Sequence, residues 1–517
     1  MFSKITTGSI HGIRCVLTQV EVDIAKTMPA FDMVGMLSGE VREAKERVRV
    51  ALKNSGIRIP PVHITVNLSP ANIRKEGTAY DLPIALGILV SLGHVPAEYT
   101  ENICVIGELG LNGEVKPVKG VLPIVREAAD NGFKTCILPM DNISEGTVIE
   151  NIQIVGVNDF LQVLDFFSSP KTENTQYITS KKRPDRYADI FWNALLKSDD
   201  FKDIIGQESC KRAALIAAAG FHHLLISGPP GAGKTMIAKR IPGILPPLTM
   251  EESLDVSSIY SVSGLLDKNN SLITARPFLS PHHTTTAAAL AGGGIVPKPG
   301  IFSLSHRGVL FLDELPEFSK ECIEAMRQPL EEKKIQIART QGTFCYPADF
   351  MLVAAANPCP CGFYPDRNRC HCSEREVRRY QNKISGPIRD RIDLNVTAEM
   401  VDIKALNSKN GSQSSADMRS LVMNARKKQK IRFQGTGLQF NSDIPAREIR
   451  RYCLLGEEEK KYMEQIFYMM NLSARSYHKI LKVARTIADI DDEENITVKH
   501  LGEAVCYRVQ EDNAYAG

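Results

Sequence analysis

Residues 224–235 read LLISGPPGAGKT. A short apolar run, Leu224-Leu225-Ile226, stops at glycine and proline, and Gly-Lys-Thr then opens an apolar-spaced helix. Gly228, Gly233, Lys234 and Thr235 meet the spacing G-x-x-x-x-G-K-T. Glycines are needed because backbone N–H groups must turn inward onto phosphate oxygens, an approach a Cβ would obstruct. The helix N-terminus adds its positive dipole end. The cradle is therefore Gly228, Pro229, Pro230, Gly231, Ala232, Gly233, Lys234, Thr235 and Met236. Lys234 is expected to reach the β- and γ-phosphates, and the Thr235 hydroxyl to ligate Mg²⁺. A chance glycine-rich turn would lack the strand before and the helix after.

A second signal lies downstream. Val309-Leu310-Phe311-Leu312 suits a buried strand of a parallel sheet, and it ends on Asp313 and Glu314 at the carboxyl edge, where ligands bind. Asp313 is expected to help hold Mg²⁺, and Glu314 to polarise the attacking water. An isolated Asp-Glu after a strand is weak; beyond a phosphate loop at this distance it is strong. A third strand, 352–356, ends on Asn357, placed to orient the same water. Alone, Asn357 reads as a turn residue before Pro358.

Composition limits the setting. A chain of 517 residues accommodates two to four domains, and a net charge of +3 confines any nucleic-acid site to local patches. The start carries no apolar signal core and no run approaches a membrane span, so a cytoplasmic, reducing location is expected. Of twelve cysteines, eight are scattered singly. The other four, Cys359, Cys361, Cys370 and Cys372, form two close pairs, which suits tetrahedral Zn²⁺ or, less well, an iron–sulfur cluster. Each pair is tighter than in an ordinary zinc ribbon, and His371 is an alternative ligand.

Residues 1–168 alternate strand-like runs (16–22, 63–68, 103–106, 135–138) with helix-like ones (39–54, 81–92, 121–132), an α/β or α+β pattern. Asn112-Gly113 reads as a hairpin turn. The stretches NLSPANIRKEGTAYDLPIALGILV (67–90) and IGELGLNGEVKPVKGVLPI (106–124) resemble the proteolytic domain of Lon proteases, a fold like the second domain of ribosomal protein S5. That resemblance implies a Ser–Lys dyad, but Asp81 stands at the serine position and Leu122 at the lysine position. Neither can do the chemistry. Thr78 and Lys119 are a displaced alternative; a non-catalytic scaffold or protein-interaction domain is the expectation.

Residues 169–188 are polar and Pro-punctuated, and with the segment to 200 read as a linker. Asp203-Ile204-Ile205-Gly206-Gln207 then resembles the entry to an AAA+ ATPase module, expected over 201–400. By that resemblance Asn357 takes the sensor-1 role, and Arg391, in GPIRDRID, points into a neighbouring subunit's site, worth ~10³–10⁵ in rate where such fingers act. The bland alternative for Arg391 is a surface ion pair with Asp390 or Asp393. A ring, expected to be a hexamer, follows from the resemblance.

RPFLSPHHTTTAAALAGGGIVPKPGIFSLSHRGVLFLDEL (276–315), CPCG (359–362) and LSARSYHKILKVARTIADI (472–490) resemble the ComM/YifB family of magnesium-chelatase-like AAA+ proteins. The resemblance spans the chain and implies an ATP- and Mg²⁺-dependent ring acting as a DNA branch-migration helicase. It makes Arg475 the sensor-2 arginine of a helical lid over 418–517, with Arg485 as fallback, and it projects residues 281–294 toward the pore. Alternatives are a magnesium-chelatase motor subunit, expected to match only the middle of the chain, and an ATP-dependent protease. Residues 401–417 read as a connector. Basic runs at Arg375, Arg378, Arg379, at Arg426 to Arg432 and at Arg447 to Arg451 are candidate phosphate contacts for sequence-independent DNA binding.

Overall fold

Ten residues of alternating burial, Phe2–His11 (β1), turn at Gly12 and pair antiparallel with Arg14–Ala25 (β2). With Ala30–Val34 (β3), His63–Ser69 (β4), Ile103–Val105 (β5), Thr135–Pro139 (β8) and Gln153–Val157 (β9) they make a seven-stranded sheet ordered β3-β4-β2-β1-β5-β8-β9. Glu108–Leu109 (β6) and Val115–Lys116 (β7) form the hairpin expected around Asn112-Gly113. Because side chains alternate along strands, the sheet has two cores. The helix Asp81–Ser91, buried all round, packs with Ile5, Val20 and Val105; the helix Val121–Asp130 packs with Cys15, Cys104 and Cys136 on the other face. The helix expected over 39–54 is broken at Glu43 into Gly39–Arg42 and Ala44–Asn54.

The computed structural model describes residues 1–168, 199–267, 272–294, 296–339, 342–400 and 413–513. The expected linker falls outside them except for residues 199–200, as does the connector up to 412. The following helix begins at Ser415, earlier than the apolar spacing from Met418 suggests, because Ser414 and Asp417 form a capping box.

The second sheet is parallel, ordered β11-β14-β17-β10-β18: Leu224–Ser227 (β10), Phe278–Leu279 (β11), Val309–Leu312 (β14), Met351–Ala356 (β17) and Leu394–Thr397 (β18). The phosphate-loop strand lies between β17 and β18, so the loop opens at the middle of the carboxyl edge. Two antiparallel pairs sit outside this sheet: Gly292–Gly293 (β12) with Lys298–Pro299 (β13), and Lys334–Arg339 (β15) with Gly342–Pro347 (β16). Residues 281–294, which show no helical stripe, nevertheless carry a short helix, Ala287–Ala291, capped by the Thr286 hydroxyl.

The helices Ser415–Arg432 and Ala474–Ile490 share one hydrophobic core with Glu208–Gly220 and Lys234–Ile244, and the helix Val498–Asn513 joins it through Leu501, Ala504 and Val505. They meet β18 at its amino end: Lys479 Nζ and Arg508 Nη1 donate to the Ile392 carbonyl at 3.1 and 2.7 Å. The front sheet docks on the second unit at two places. The helix Met250–Ser263 receives an Arg126–Asp255 ion pair of 3.0 Å and a Gly120 N–H to Ser261 carbonyl bond of 3.2 Å. The β15–β16 hairpin stacks Phe344 on His11, with ring centroids 4.6 Å apart.

Candidate active site

Gly228 cannot carry a side chain, since a Cβ there would collide with the carbonyl of Ala398, the residue just past β18. Lys234 is the first residue of its helix, and Nζ folds back over the loop, donating to the carbonyls of Gly228 (2.7 Å) and Pro229 (2.9 Å) and to Asn357 Oδ1 (3.0 Å). Burial pushes the Lys234 ammonium below the usual lysine range, while Asp313 and Glu314 pull it back up. The Thr235 hydroxyl donates to Asp313 Oδ2 at 2.8 Å. Four groups read from three separate stretches of sequence thus meet within hydrogen-bond distance. Thr235 and Asp313 set two oxygens side by side where a small, hard cation takes oxygen ligands.

Glu314 is half exposed and holds φ at 52°, in the left-handed region that a non-glycine residue rarely adopts; its own N–H donates to Asp313 Oδ1 at 3.0 Å. Such backbone conformations cluster at functional sites. The hydrogen bonds of Lys234 go to the Gly228 and Pro229 carbonyls and to Asn357, and Glu314 acts on it through charge alone.

The arginines stand elsewhere. Arg391 lies before β18, which runs parallel to β10 with Leu394 opposite Leu224. A four-residue strand, ~13 Å long, separates Arg391 from the edge where its own phosphate loop opens. Arg391 Nη2 and Arg475 Nη2 both donate to the Glu331 carboxylate, the second at 2.9 Å. Arg391 before Arg475 holds Glu331 below the usual carboxylate range. The alternative ion pair of Arg391 with Asp390 or Asp393 is not the one formed, since Arg391 pairs with Glu331 and Asp393 takes Lys479 at 2.8 Å. Arg485 is spent on structure: it is buried, donates to the carbonyls of Glu493 and Glu494 and pairs with Asp489. Nothing in the sequence marked Glu331 as the acceptor that gathers the two arginines.

The cysteine loop follows β17, its first cysteine two residues after Asn357. The four Sγ atoms of Cys359, Cys361, Cys370 and Cys372 lie within 4.8 Å of one another. A tetrahedral site with metal–sulfur bonds of ~2.3 Å sets its sulfurs ~3.8 Å apart. The donor set fits that metal. The Phe363 N–H, foremost among several bonds, lowers the Cys361 thiol to about 6, while burial raises the Cys370 thiol beside it. His371 is exposed and outside the cluster. Gly362, at φ +86°, presses on the phosphate loop itself: a Cβ would stand 2.6 Å from Pro230 Cδ. The loop also walls a cavity of about 800 Å³ that reaches Gly228, Asn357 and Asn395.

In the front sheet, Asp81 is fully buried at its helix start and accepts from Arg47 Nε (2.7 Å), Arg47 Nη2 (2.9 Å) and the Leu109 N–H (3.2 Å). The Thr78 hydroxyl is taken by Glu108, and the Lys119 side chain lies over Gly264 of the second unit. Among the basic runs, Arg426 bonds the Gln439 carbonyl, Arg432 chelates Asp489 and Lys428 pairs with Asp492, so these three are structural members of the densest run.

Comparisons with known proteins cover nearly the whole chain. A family model described as magnesium chelatase, subunit ChlI, matches residues 200–406; one described as subunit ChlI of Mg-chelatase matches 20–142; and the subunit's C-terminal model matches 412–508. The protein YifB of Escherichia coli K12 is 40% identical over 507 residues, 98% of this chain and 97% of that one. The competence protein ComM of Haemophilus influenzae is 38% identical over 499 residues, 96% of this chain and 95% of that one. This chain belongs to the ComM/YifB family of magnesium-chelatase-like proteins. Lon protease 2 of Bacillus subtilis is 31% identical over 134 residues, 26% of this chain and 24% of the protease. The family supports an AAA+ motor of the ATPase class, in keeping with the parallel sheet and its edge. Chelatase-described models match the front and C-terminal parts too, so the expectation that such likeness stops at the middle of the chain does not hold. Among the described residues no helix is long and apolar enough to cross a membrane.

Proposed function

We propose that this protein is an ATP-hydrolysing ring motor, working as a hexamer on DNA and remodelling branched or recombining strands. The observation that carries the reading is the division of one reaction centre between two edges of the same sheet. Lys234, Thr235, Asp313, Glu314 and Asn357 gather at the carboxyl edge, while Arg391 and Arg475 share Glu331 beyond the amino edge. One chain cannot bring these halves together, whereas a neighbouring chain presenting its arginine edge can. In that arrangement Lys234 holds the β- and γ-phosphates, Asn357 and Glu314 align and activate water, and the neighbour's arginines stabilise charge on the transferred phosphoryl group. Mg²⁺ on Thr235 and Asp313 would neutralise phosphate charge. The DNA assignment rests on the family, in which one relative bears the name competence protein.

The deciding test measures ATP hydrolysis with and without single-stranded and branched DNA at two salt concentrations. Stimulation that fades with salt and vanishes in Lys234→Ala is expected. An unchanged rate in an active ring rejects DNA as the track. Porphyrin-dependent hydrolysis would then favour the chelatase reading, and casein cleavage the protease reading.

The four cysteines are proposed to hold one structural Zn²⁺, which would brace Gly362 against Pro230. One equivalent of zinc per chain is expected by elemental analysis and none in Cys359→Ser/Cys370→Ser, with weaker nucleotide binding. Nucleotide affinity unaltered by metal loss rejects the brace.

A further inference from the structure

The cavity behind the phosphate loop has no part in the chemistry assigned so far. Strand alternation fixes the side on which it lies. Leu224 and Ile226 of β10 enter the core shared with the helix Lys234–Ile244, whereas Leu225, which lines the cavity, enters the core of the opposite face. The space, about 800 Å³, therefore adjoins Gly228, Pro229 and Asn357 from behind, away from the helix start proposed to receive phosphate. Its size falls in the range of ~300–1,000 Å³ typical of small-molecule sites.

Asn395 marks it as a built site. This residue stands on β18, is 8% exposed and lines the cavity, yet its Oδ1 has no hydrogen-bond partner among the described residues. A second wall residue, Gln381, donates from Nε2 to the Pro358 carbonyl at 3.0 Å, which fixes Oε1 as the acceptor end of that amide. Oε1 is also buried without a partner among the described residues. Buried acceptors left without donors cost stability, so two on one cavity call for a ligand that brings N–H groups. The remaining walls set its shape. Phe363 and Tyr364 line the cavity from the cysteine loop, and Leu225 and Ile384 line it from the core, a surroundings for a flat, uncharged ring.

We infer that this cavity is a second binding site, separate from the phosphate loop, for a nucleobase carrying an exocyclic amine. Asparagine and glutamine amides pair with base edges, and bases freed from a duplex stack on aromatic side chains. A free nucleotide and a base turned out of a single strand share this chemistry. An occupant would touch the back of Asn357, whose Oδ1 accepts from Lys234 Nζ at 3.0 Å, and so adjoin the reaction centre without entering it. The inference goes beyond the motor reading and stands whether or not DNA is the track.

The test titrates cytidine by calorimetry into the full-length protein, with the phosphate loop saturated by a non-hydrolysable ATP analogue. Saturable binding is expected. It should weaken about fivefold or more for N4,N4-dimethylcytidine, which keeps the ring but lacks the exocyclic donors, and about tenfold or more in Asn395→Leu. Phe363→Leu, which leaves β18 untouched, should weaken cytidine about threefold or more and keeps the test decisive if Asn395→Leu fails to fold. Displacement of cytidine by oligodeoxycytidylate identifies a strand as the source of the base; oligodeoxycytidylate that binds without displacing it identifies a free nucleotide. The absence of saturable cytidine binding overturns the site, as does equal affinity for the dimethyl analogue or binding intact in both variants.

Discussion

Each half of the molecule buries a lysine beside a glycine-containing turn, and the two have opposite consequences. Lys75 in the front sheet is wholly buried; its Nζ donates to the Pro70 carbonyl, and burial lowers its affinity for a proton. Lys234 is nearly as buried and shifted the same way, yet it bonds two loop carbonyls and Asn357 and feels Asp313 and Glu314. The resemblance to Lon proteases includes Lys75-Glu76-Gly77, but the nucleophile position there is Asp81, locked by Arg47. Burial of a charge-bearing group is therefore no measure of function. What separates the two lysines is whether acceptors converge on a place that a ligand can enter.

The largest break in that comparison is Lys234→Met. Hydrolysis should fall by at least ~10²-fold, the scale of losing one well-placed donor to a developing charge, while the melting temperature moves little; a retained rate places the site elsewhere. Next is Arg47→Met, which strands the fully buried Asp81 carboxylate. Removing one partner of a buried pair costs ~3–5 kcal/mol, so the urea midpoint of the front unit should drop while hydrolysis per folded chain at low temperature stays.

Acid should separate the two halves as well. His223, just before β10, is half-buried and accepts the Leu352 N–H at 3.1 Å; desolvation foremost, against Asp393, lowers it to about 4, with Lys479, Lys333 and His222 also facing it. A folded pKa below the unfolded ~6.5 means the stability is full above pH 6.5 and is lost as pH falls through about 4. The motor should lose about 3 kcal/mol over that window, read as a denaturant midpoint against pH, and His223→Gln should flatten the slope. The smallest effect is expected from Lys75→Met: replacing a buried, carboxylate-free ammonium by an apolar chain of like volume should change stability by under ~1 kcal/mol in either direction and leave hydrolysis unaltered. A marked loss of activity there would give the front turn a role in the motor.

The motor's edge was legible because its chemistry is local. Apolar runs ending on Gly228, Asp313 and Asn357 named three strands and the side chains at their tips, and parallel pairing could only bring those tips to one edge. The front strands at 16–22, 63–68, 103–106 and 135–138 were legible for the same reason. β1 was not, since Lys4, Thr6 and Ser9 interrupt its apolar residues, and its burial depends on two sheet faces. The early start at Ser415 turns on a capping box, which apolar spacing does not report, whereas the break at Glu43 has no side-chain cap behind it.

The chain's own letters determined the glycine-rich loop, the Asp-Glu pair, the four-thiol cluster and the presence of Asp81 and Leu122 in the Lon-like stretches, because each depends on residue identity at short spacing. Tertiary structure alone decided that Arg391 and Arg475 converge on Glu331 away from their own phosphate loop, that Arg485, Arg426 and Arg432 are structural and that Gly362 abuts Pro230. Those facts are set by strand register and by which carbonyls and carboxylates a folded core leaves to be satisfied. No spacing along the sequence encodes them.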